Sequence, residues 1–486
     1  MTADNLAGSS TVSIFSEYAK KIINRGNKVY WYLPQNSKNI DVVKYDLESF
    51  GVKVFMEDVS NINIYTNSLR LPSDLYKKFN RINGEYFVDA VVTTDSNSVM
   101  NIRNTIEYQT ITECDSGVIY GAGGPLSVFV VDVFPKFPKS IVKEHPVLSD
   151  AYMLSQYQGY ALADLVCFCG QNDADNILEC AKDYLPFERI RKLNDKIVPF
   201  SVGVRTEQLK NYVDLNERKA EVFTKDNPMR VLSIGRLSLY SCNIEPLYDV
   251  FDMYKAGYAV NLFLSSPTAL KNKSNYEHRD LFNFCNINTR NDRKRYFSLI
   301  TNCHIGVVTD KFHNIPNALL EAQYIGLPMI LPKYDWVTQF YPNDYPFFYK
   351  TRKECQILLR RAYDNYEDFA KWGKIAQKYI AENFSDALYD RTIDKFEEII
   401  ADNIKRYNGR LGSLRAFFNE YPKKVFSVDD MIKYIQKNSE QEVKIGREKE
   451  IGRTIGKGDL IVHLRKNKRF RDLGTDNPMT FEIVDD

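Results

Sequence analysis

Short apolar runs alternate with amphipathic helical patterns through most of this 486-residue chain, and that alternation leaves few folds open. Apolar residues recur at helical spacing from Thr11 to Asn24, Arg25-Gly26-Asn27 ends the helix, and Val29 to Leu33 reads as a buried strand. Ile40 to Phe50 is again helical, and Gly51 separates it from a strand at Val52 to Phe55. Further strands are expected at Val88 to Thr93, Ser140 to Lys143, Leu165 to Phe168 and Lys196 to Pro199. A second series opens at Pro228-Met229-Arg230. It gives strand Val231 to Ile234, helix Ile244 to Ala256, strand Ala259 to Leu264, helix Arg293 to Thr301, strand His304 to Val308, helix Pro316 to Ile325 and strand Pro328 to Leu331. Strands that alternate with helices build parallel sheets covered on both faces, so the chain reads as α/β with two doubly wound, Rossmann-like domains.

The length exceeds what one hydrophobic core fills, which also argues for several domains. We divide the chain at 1–204, 205–407 and 408–486. After a strongly helical stretch from Arg352 to Tyr407 the character changes at Asn408-Gly409-Arg410-Leu411-Gly412. Two short helical patterns follow, Leu414 to Asn419 and Val428 to Lys437, and then glycine-punctuated, β-rich sequence from Val443 to Ile483. The last part reads as a small α+β module, similar in layout to a winged helix. Tyr120-Gly121-Ala122-Gly123-Gly124-Pro125 reads as a turn before the apolar Val128 to Val133, because no helix follows that a phosphate-binding loop would need.

Net charge is only +2, but its distribution is uneven. Between Lys405 and Arg471 there are 18 lysines and arginines against 8 aspartates and glutamates. Concentrated basic charge is the electrostatic footprint of phosphate-backbone binding, and Lys444 to Arg471 is the expected DNA-contacting region. Glycines at 446, 452, 456 and 458 break this stretch, which disfavours a basic amphipathic helix lying on a membrane. The eight cysteines show neither metal-ligand spacing nor the density of a secreted disulfide scaffold, and Cys167-Phe168-Cys169 reads as buried thiols in a strand. No run is long and apolar enough to span a membrane, and the N-terminus has no signal-peptide core, so a cytoplasmic location is expected, the host's cytoplasm if the gene is a phage's.

The run His313-Asn314-Ile315-Pro316-Asn317-Ala318-Leu319-Leu320-Glu321-Ala322-Gln323-Tyr324-Ile325-Gly326-Leu327-Pro328-Met329-Ile330 resembles the donor-binding motif of retaining GT-B glycosyltransferases of the family 4 type. In that family an acid, a turn, a helix carrying a second acid, and Gly-x-Pro before a strand recur in this order. A turn that opens a helix exposes unpaired N–H groups at the positive end of the helix dipole, which suits a diphosphate, and Pro316 fits a first helical position. The resemblance implies that Asn314 and Ile315 meet the donor phosphates and that Glu321 hydrogen-bonds the ribose. The alternative for each is structural: a capped helix, a solvated Glu321 and a plain turn at Gly326-Leu327-Pro328. His313 stands where the family's first acid contacts the donor sugar, eight positions before Glu321.

Val231-Leu232-Ser233-Ile234-Gly235-Arg236-Leu237 resembles the family's strand and Gly-Arg corner. There the arginine neutralises the departing diphosphate, so the resemblance makes Gly235 and Arg236 donor-binding and Arg236 catalytic. Ser241 occupies the place of the family's lysine, and Lys311 and Arg293 are the candidates to supply that charge. Asn5-Leu6-Ala7-Gly8-Ser9-Ser10 resembles the family's small-residue loop facing acceptor and diphosphate, with Gly8, Ser9 and Ser10 as its contacts; helix capping is the alternative for the serines. His145, ahead of Pro146, sits where relatives place a histidine near the reaction centre, the alternative being a loop histidine with no role.

The resemblance implies retention of configuration, with a diphosphate oxygen assisting deprotonation of the acceptor and Arg236 and the Asn314 turn stabilising the leaving group. No metal and no cofactor beyond a nucleotide-sugar donor, a UDP-sugar such as UDP-glucose, is expected. Joined to the basic tail, this gives a phage-type DNA glycosyltransferase acting on a hydroxymethylated pyrimidine, which a duplex must flip out to be reached. The alternatives are a bacterial transferase acting on surface polysaccharide, lipid-linked or protein acceptors, and an inactive GT-B scaffold that binds nucleic acid.

Overall fold

Val231, Leu232, Ile305, Val307, Met329, Ile330 and Leu331 are all but sealed from solvent, as strands covered by helices on both faces must be. They lie in a computed structural model that describes residues 10–34, 40–57, 88–103, 126–133, 135, 137, 149–213, 222–234, 245–264, 282–284, 290–308, 317–420, 425–427, 429–430, 470–474 and 480–483. Among these residues the strands, in chain order, are β1 (Tyr30–Pro34), β2 (Lys53–Glu57), β3 (Ala90–Thr93), β4 (Ser127–Asp132), β5 (Leu165–Phe168), β6 (Ile197–Val198), β7 (Met229–Ile234) and β8 (Val260–Leu264). They continue as β9 (Phe282–Phe284), β10 (Ile305–Val308), β11 (Met329–Pro332), β12 (Phe348–Tyr349), β13 (Val425–Ser427), β14 (Phe470–Asp472) and β15 (Thr480–Ile483). The expected strand at Ser140 to Lys143 and most of the expected helix at Val428 to Lys437 fall outside the described residues.

The chain divides into two compact units, one of Met1–Ile64, Val131–Leu154 and Val166–Asp394, the other of Tyr65–Val130, Ser155–Leu165 and Lys395–Asp486. In the first unit β7 to β12 form a six-stranded sheet in the order β12-β11-β10-β7-β8-β9, with every neighbouring pair parallel. Counted from β7, this is the 3-2-1-4-5-6 order of a dinucleotide-binding fold, whose direction of winding reverses between β7 and β10. Helices Glu245–Lys255, Arg290–Asn302, Asn317–Tyr324, Arg352–Asp364 and Tyr366–Asn383 accompany it. Phe347 stacks on Phe369, ring centres 3.7 Å apart, within the continuous apolar core of this sheet and its helices. The first unit also holds β1 and β2, paired in parallel, and the parallel pairing of β5 with β6. Val12, Ala19, Leu33, Ile40, Val43, Leu47 and Val52 make a separate core around β1 and β2.

In the second unit β3 pairs in parallel with β4, Ala90 opposite Ser127 and Thr93 opposite Val130, and β13-β15-β14 form an antiparallel sheet. Of the expected C-terminal module, 408–486, the described residues include that sheet and the end of a long helix. The helix Ala387–Glu420 runs without interruption through Asn408-Gly409-Arg410-Leu411-Gly412, where the sequence predicts a break, and absorbs the short helix expected at Leu414 to Asn419. Two glycines in a helix interior cost only about 1 kcal/mol each relative to alanine. Propagation from helical sequence on both sides outweighs that cost. Phe396 of this helix stacks on Phe129 at 4.3 Å, and Asn403 donates to the Ser127 hydroxyl at 3.0 Å. Among the described residues no helix is long and apolar enough to cross a membrane.

Candidate functional site

Where a doubly wound sheet reverses its winding, the loops leaving the carboxyl ends of the two central strands diverge and open a crevice for a ligand. In this sheet the reversal lies between β7 and β10, and their last residues, Ile234 and Val308, are partners in register. The two segments that the sequence assigns to a donor, Gly235-Arg236 and the run through His313, Asn314 and Ile315, follow these two strands in the sequence. Gly235, Arg236, His313, Asn314 and Ile315 themselves lie outside the described residues, as do Lys311, Ser241, His145, Gly8 and Ser9. Ser10 is the first residue of the helix Ser10–Asn24, in keeping with its place at a helix start.

After the second of these segments the chain enters the helix Asn317–Tyr324. Its C-terminal end is fixed by Gly326, at φ +88°: the Gly326 N–H bonds Gln323 O at 2.9 Å and the Leu327 N–H bonds Ala322 O at 2.9 Å. This paired closure with a left-handed glycine is the Schellman motif, and it turns the chain directly into β11. Gly373 lets the helix Tyr366–Asn383 approach, since a Cβ there would stand 2.8 Å from the Gly326 carbonyl. Gln323 ties the same contact, donating to Phe340 O at 3.0 Å and Ala376 O at 3.2 Å.

Glu321 is buried rather than solvated. Its Oε1 accepts from Nη2 of Arg205, a side chain equally buried. Burial, the largest single influence, works against the arginine's charge, but Glu321, Tyr389 and Glu17 together outweigh it and raise the guanidinium above the ordinary arginine range. Asn317, one turn before Glu321 and so on the same helix face, is also buried, and its Oδ1 has no hydrogen-bond partner among the described residues. A buried carbonyl oxygen without a donor costs on the order of 1–3 kcal/mol, a cost that a ligand hydroxyl or N–H would remove. The helix thus carries a carboxylate and an amide oxygen one turn apart, both acceptors, an arrangement suited to hydroxyl donors such as a vicinal diol.

Arg205 and Asn317 are absent from the sequence-based site. For Asn317 a signal existed, because it lies within the quoted motif at i−4 from Glu321. For Arg205 there was none, since its partner is 116 residues away.

A second buried acidic group lies in the same unit at the carboxyl ends of β4 and β5. Asp173, in the first turn of the helix Gln171–Ala181, is pushed up to about 7 by burial and then by the charge of Asp132 at the end of β4. Cys169, one residue past β5, is pushed up by burial first and then by both aspartates, which makes it an inert buried thiol.

No known family and no curated protein matches the chain by sequence. Solved structures do match by fold. Anabaena HepE in complex with UDP and glucose aligns with a TM-score of 0.53 at 12% identity, over 80% of this chain and 96% of that one. Sucrose-phosphate synthase from Thermosynechococcus elongatus aligns with a TM-score of 0.55 at 13% identity, over 81% and 94%. The lipopolysaccharide outer core galactosyltransferase WaaB, in its apo form, aligns with a TM-score of 0.51 at 15% identity, over 82% and 97%. With its parallel sheets and the strand order of its six-stranded sheet, the chain has the α/β fold of the GT-B glycosyltransferases.

Proposed function

We propose that this protein is a glycosyltransferase that takes a sugar from a nucleotide donor, a UDP-sugar such as UDP-glucose. The observation that carries the reading is the register of Ile234 with Val308 at the switch point, the last described residues before the two donor segments of the sequence. The UDP and glucose bound by Anabaena HepE support the choice of donor. In this reading Glu321 accepts from the ribose hydroxyls. The Asn314-Ile315 turn and Arg236 receive the diphosphate and stabilise it as the leaving group. His313 takes the role of the sugar contact, His145 that of the histidine at the reaction centre, and Gly8, Ser9 and Ser10 those of contacts to acceptor and diphosphate. Transfer proceeds with retention, and the leaving diphosphate takes the acceptor's proton.

For the acceptor we propose a hydroxymethylated pyrimidine in phage-type DNA, on the strength of the basic excess between Lys405 and Arg471. A lipid-linked or surface-polysaccharide acceptor is the second reading, favoured by the likeness to WaaB. Incubation with radiolabelled UDP-glucose separates them. Label entering duplex DNA that carries hydroxymethyl-pyrimidines, and not unmodified duplex, supports the first. Label entering lipid-linked oligosaccharide alone supports the second.

A further inference from the structure

Arg205 reaches Glu321 from the connection between β6 and the helix Thr206–Val213, outside the sheet that carries the donor segments. This connection is held at almost every residue. Phe200 takes a left-handed φ of 55°. The Ser201 N–H and hydroxyl both donate to Phe168 O at 2.9 Å, and Ser201 O accepts from the Tyr18 hydroxyl at 2.6 Å. Gly203 O accepts from the Tyr389 hydroxyl at 3.1 Å, and the Val204 N–H donates to Phe384 O at 2.8 Å. A Cβ on Gly203 would stand 2.0 Å from Ser385 O. The guanidinium is therefore delivered to a fixed place.

The side chains of Arg205 and Glu321 keep only 4% and 7% of their accessible surface. A carboxylate so buried, without a partner, would take up a proton or turn toward water. With Arg205 on Oε1 it has a fixed partner, and Oε2 accepts no hydrogen bond from the described residues. We propose that Arg205 is a positioning residue for the donor nucleotide: it fixes the Glu321 side chain in place, so that the second carboxylate oxygen meets the ribose hydroxyls. This rests on the reading of Glu321 as a ribose ligand. It adds that the ligand's geometry is set by the β6 connection rather than by the nucleotide-binding sheet alone. Asn317 Oδ1, one turn earlier on the same helix face, is the acceptor left for a second hydroxyl.

The test is a double-mutant cycle read as UDP affinity by calorimetry on the full chain, with circular dichroism confirming that each variant is folded. Arg205→Met is expected to weaken UDP binding at least tenfold in the native background and less than twofold in the Glu321→Gln background. Arg205→Lys, which keeps the charge without the planar fork, recovers part of the loss. The paired Arg205→Met/Glu321→Gln variant leaves no buried charge alone; if Arg205→Met itself does not fold, Arg205→Lys in the two backgrounds makes the same comparison. Equal loss in both backgrounds, or native affinity in the Arg205 variants beside a weakened Glu321→Gln, overturns the positioning role and leaves the donor site standing. Unchanged affinity in Glu321→Gln overturns the donor reading, and the positioning role with it.

Discussion

Asp173 is an acid that folding makes weaker, and the direction matters for how the protein responds to pH. Its carboxyl is pushed from 3.8 to about 7, first by burial and then by Asp132, so the folded chain holds a proton that the unfolded chain releases near pH 4. Wherever the folded state binds more protons, stability falls as pH rises. Asp173 thus exerts no penalty below about pH 4, takes away stability progressively between there and about 7, and adds no further loss above. At roughly 1.4 kcal/mol per pH unit, the full effect is on the order of 4 kcal/mol. Asp173→Asn, neutral at every pH, should gain stability over the native chain at pH 8 compared with pH 5. Urea unfolding at the two values measures this, and a difference that does not change with pH would contradict it. Glu321 is a second buried carboxyl, faced by a cation instead of another acid. The sequence marked Glu321 as functional yet gave no hint of its partner, because an ion pair between residues 116 apart leaves no local pattern.

Elements whose identity depends on neighbours in the chain were legible: Leu165 to Phe168 was read as a strand with its exact bounds, and the Gly326-Leu327-Pro328 turn and the helix before it stand where the motif put them. Continuous apolar runs and a glycine after a helix are local signals. The uninterrupted helix Ala387–Glu420 was misread at Gly409 and Gly412 because glycine weakens a helix without ending it. The sequence predicts only a domain boundary between residues 204 and 205, whereas the anchoring of the connection from Phe200 to Arg205 by Tyr18, Tyr389 and Phe384 comes from distant segments. Gly203 is the point where that anchoring is tightest, since a methyl group there meets a backbone carbonyl that cannot swing aside. Gly203→Ala should therefore lower stability by about 1–3 kcal/mol, the range for forcing one group into filled space. It should also weaken UDP binding through Arg205. Thermal unfolding and a UDP titration of this variant check both effects, and native values for both would show that the connection is looser than described.

For the whole molecule, the part proposed to bind the nucleotide and the basic C-terminal region predict separable behaviour. Because the helix continues to Glu420, a chain ending there keeps that helix intact and removes most of the basic excess. That truncation should retain UDP binding while losing affinity for duplex DNA, and the dependence of DNA affinity on salt should become shallower, as fewer phosphate contacts release fewer counterions. Duplex affinity and salt slope equal to those of the full chain would exclude the tail from DNA contact. The account as a whole stands on Glu321 and the switch point of the six-stranded sheet forming a nucleotide site, and an equilibrium titration with UDP measures that directly. The native chain should bind UDP saturably, and Glu321→Ala should weaken the binding at least tenfold; failure of the native chain to bind UDP, ADP or GDP, or an affinity that Glu321→Ala leaves unchanged, would contradict it.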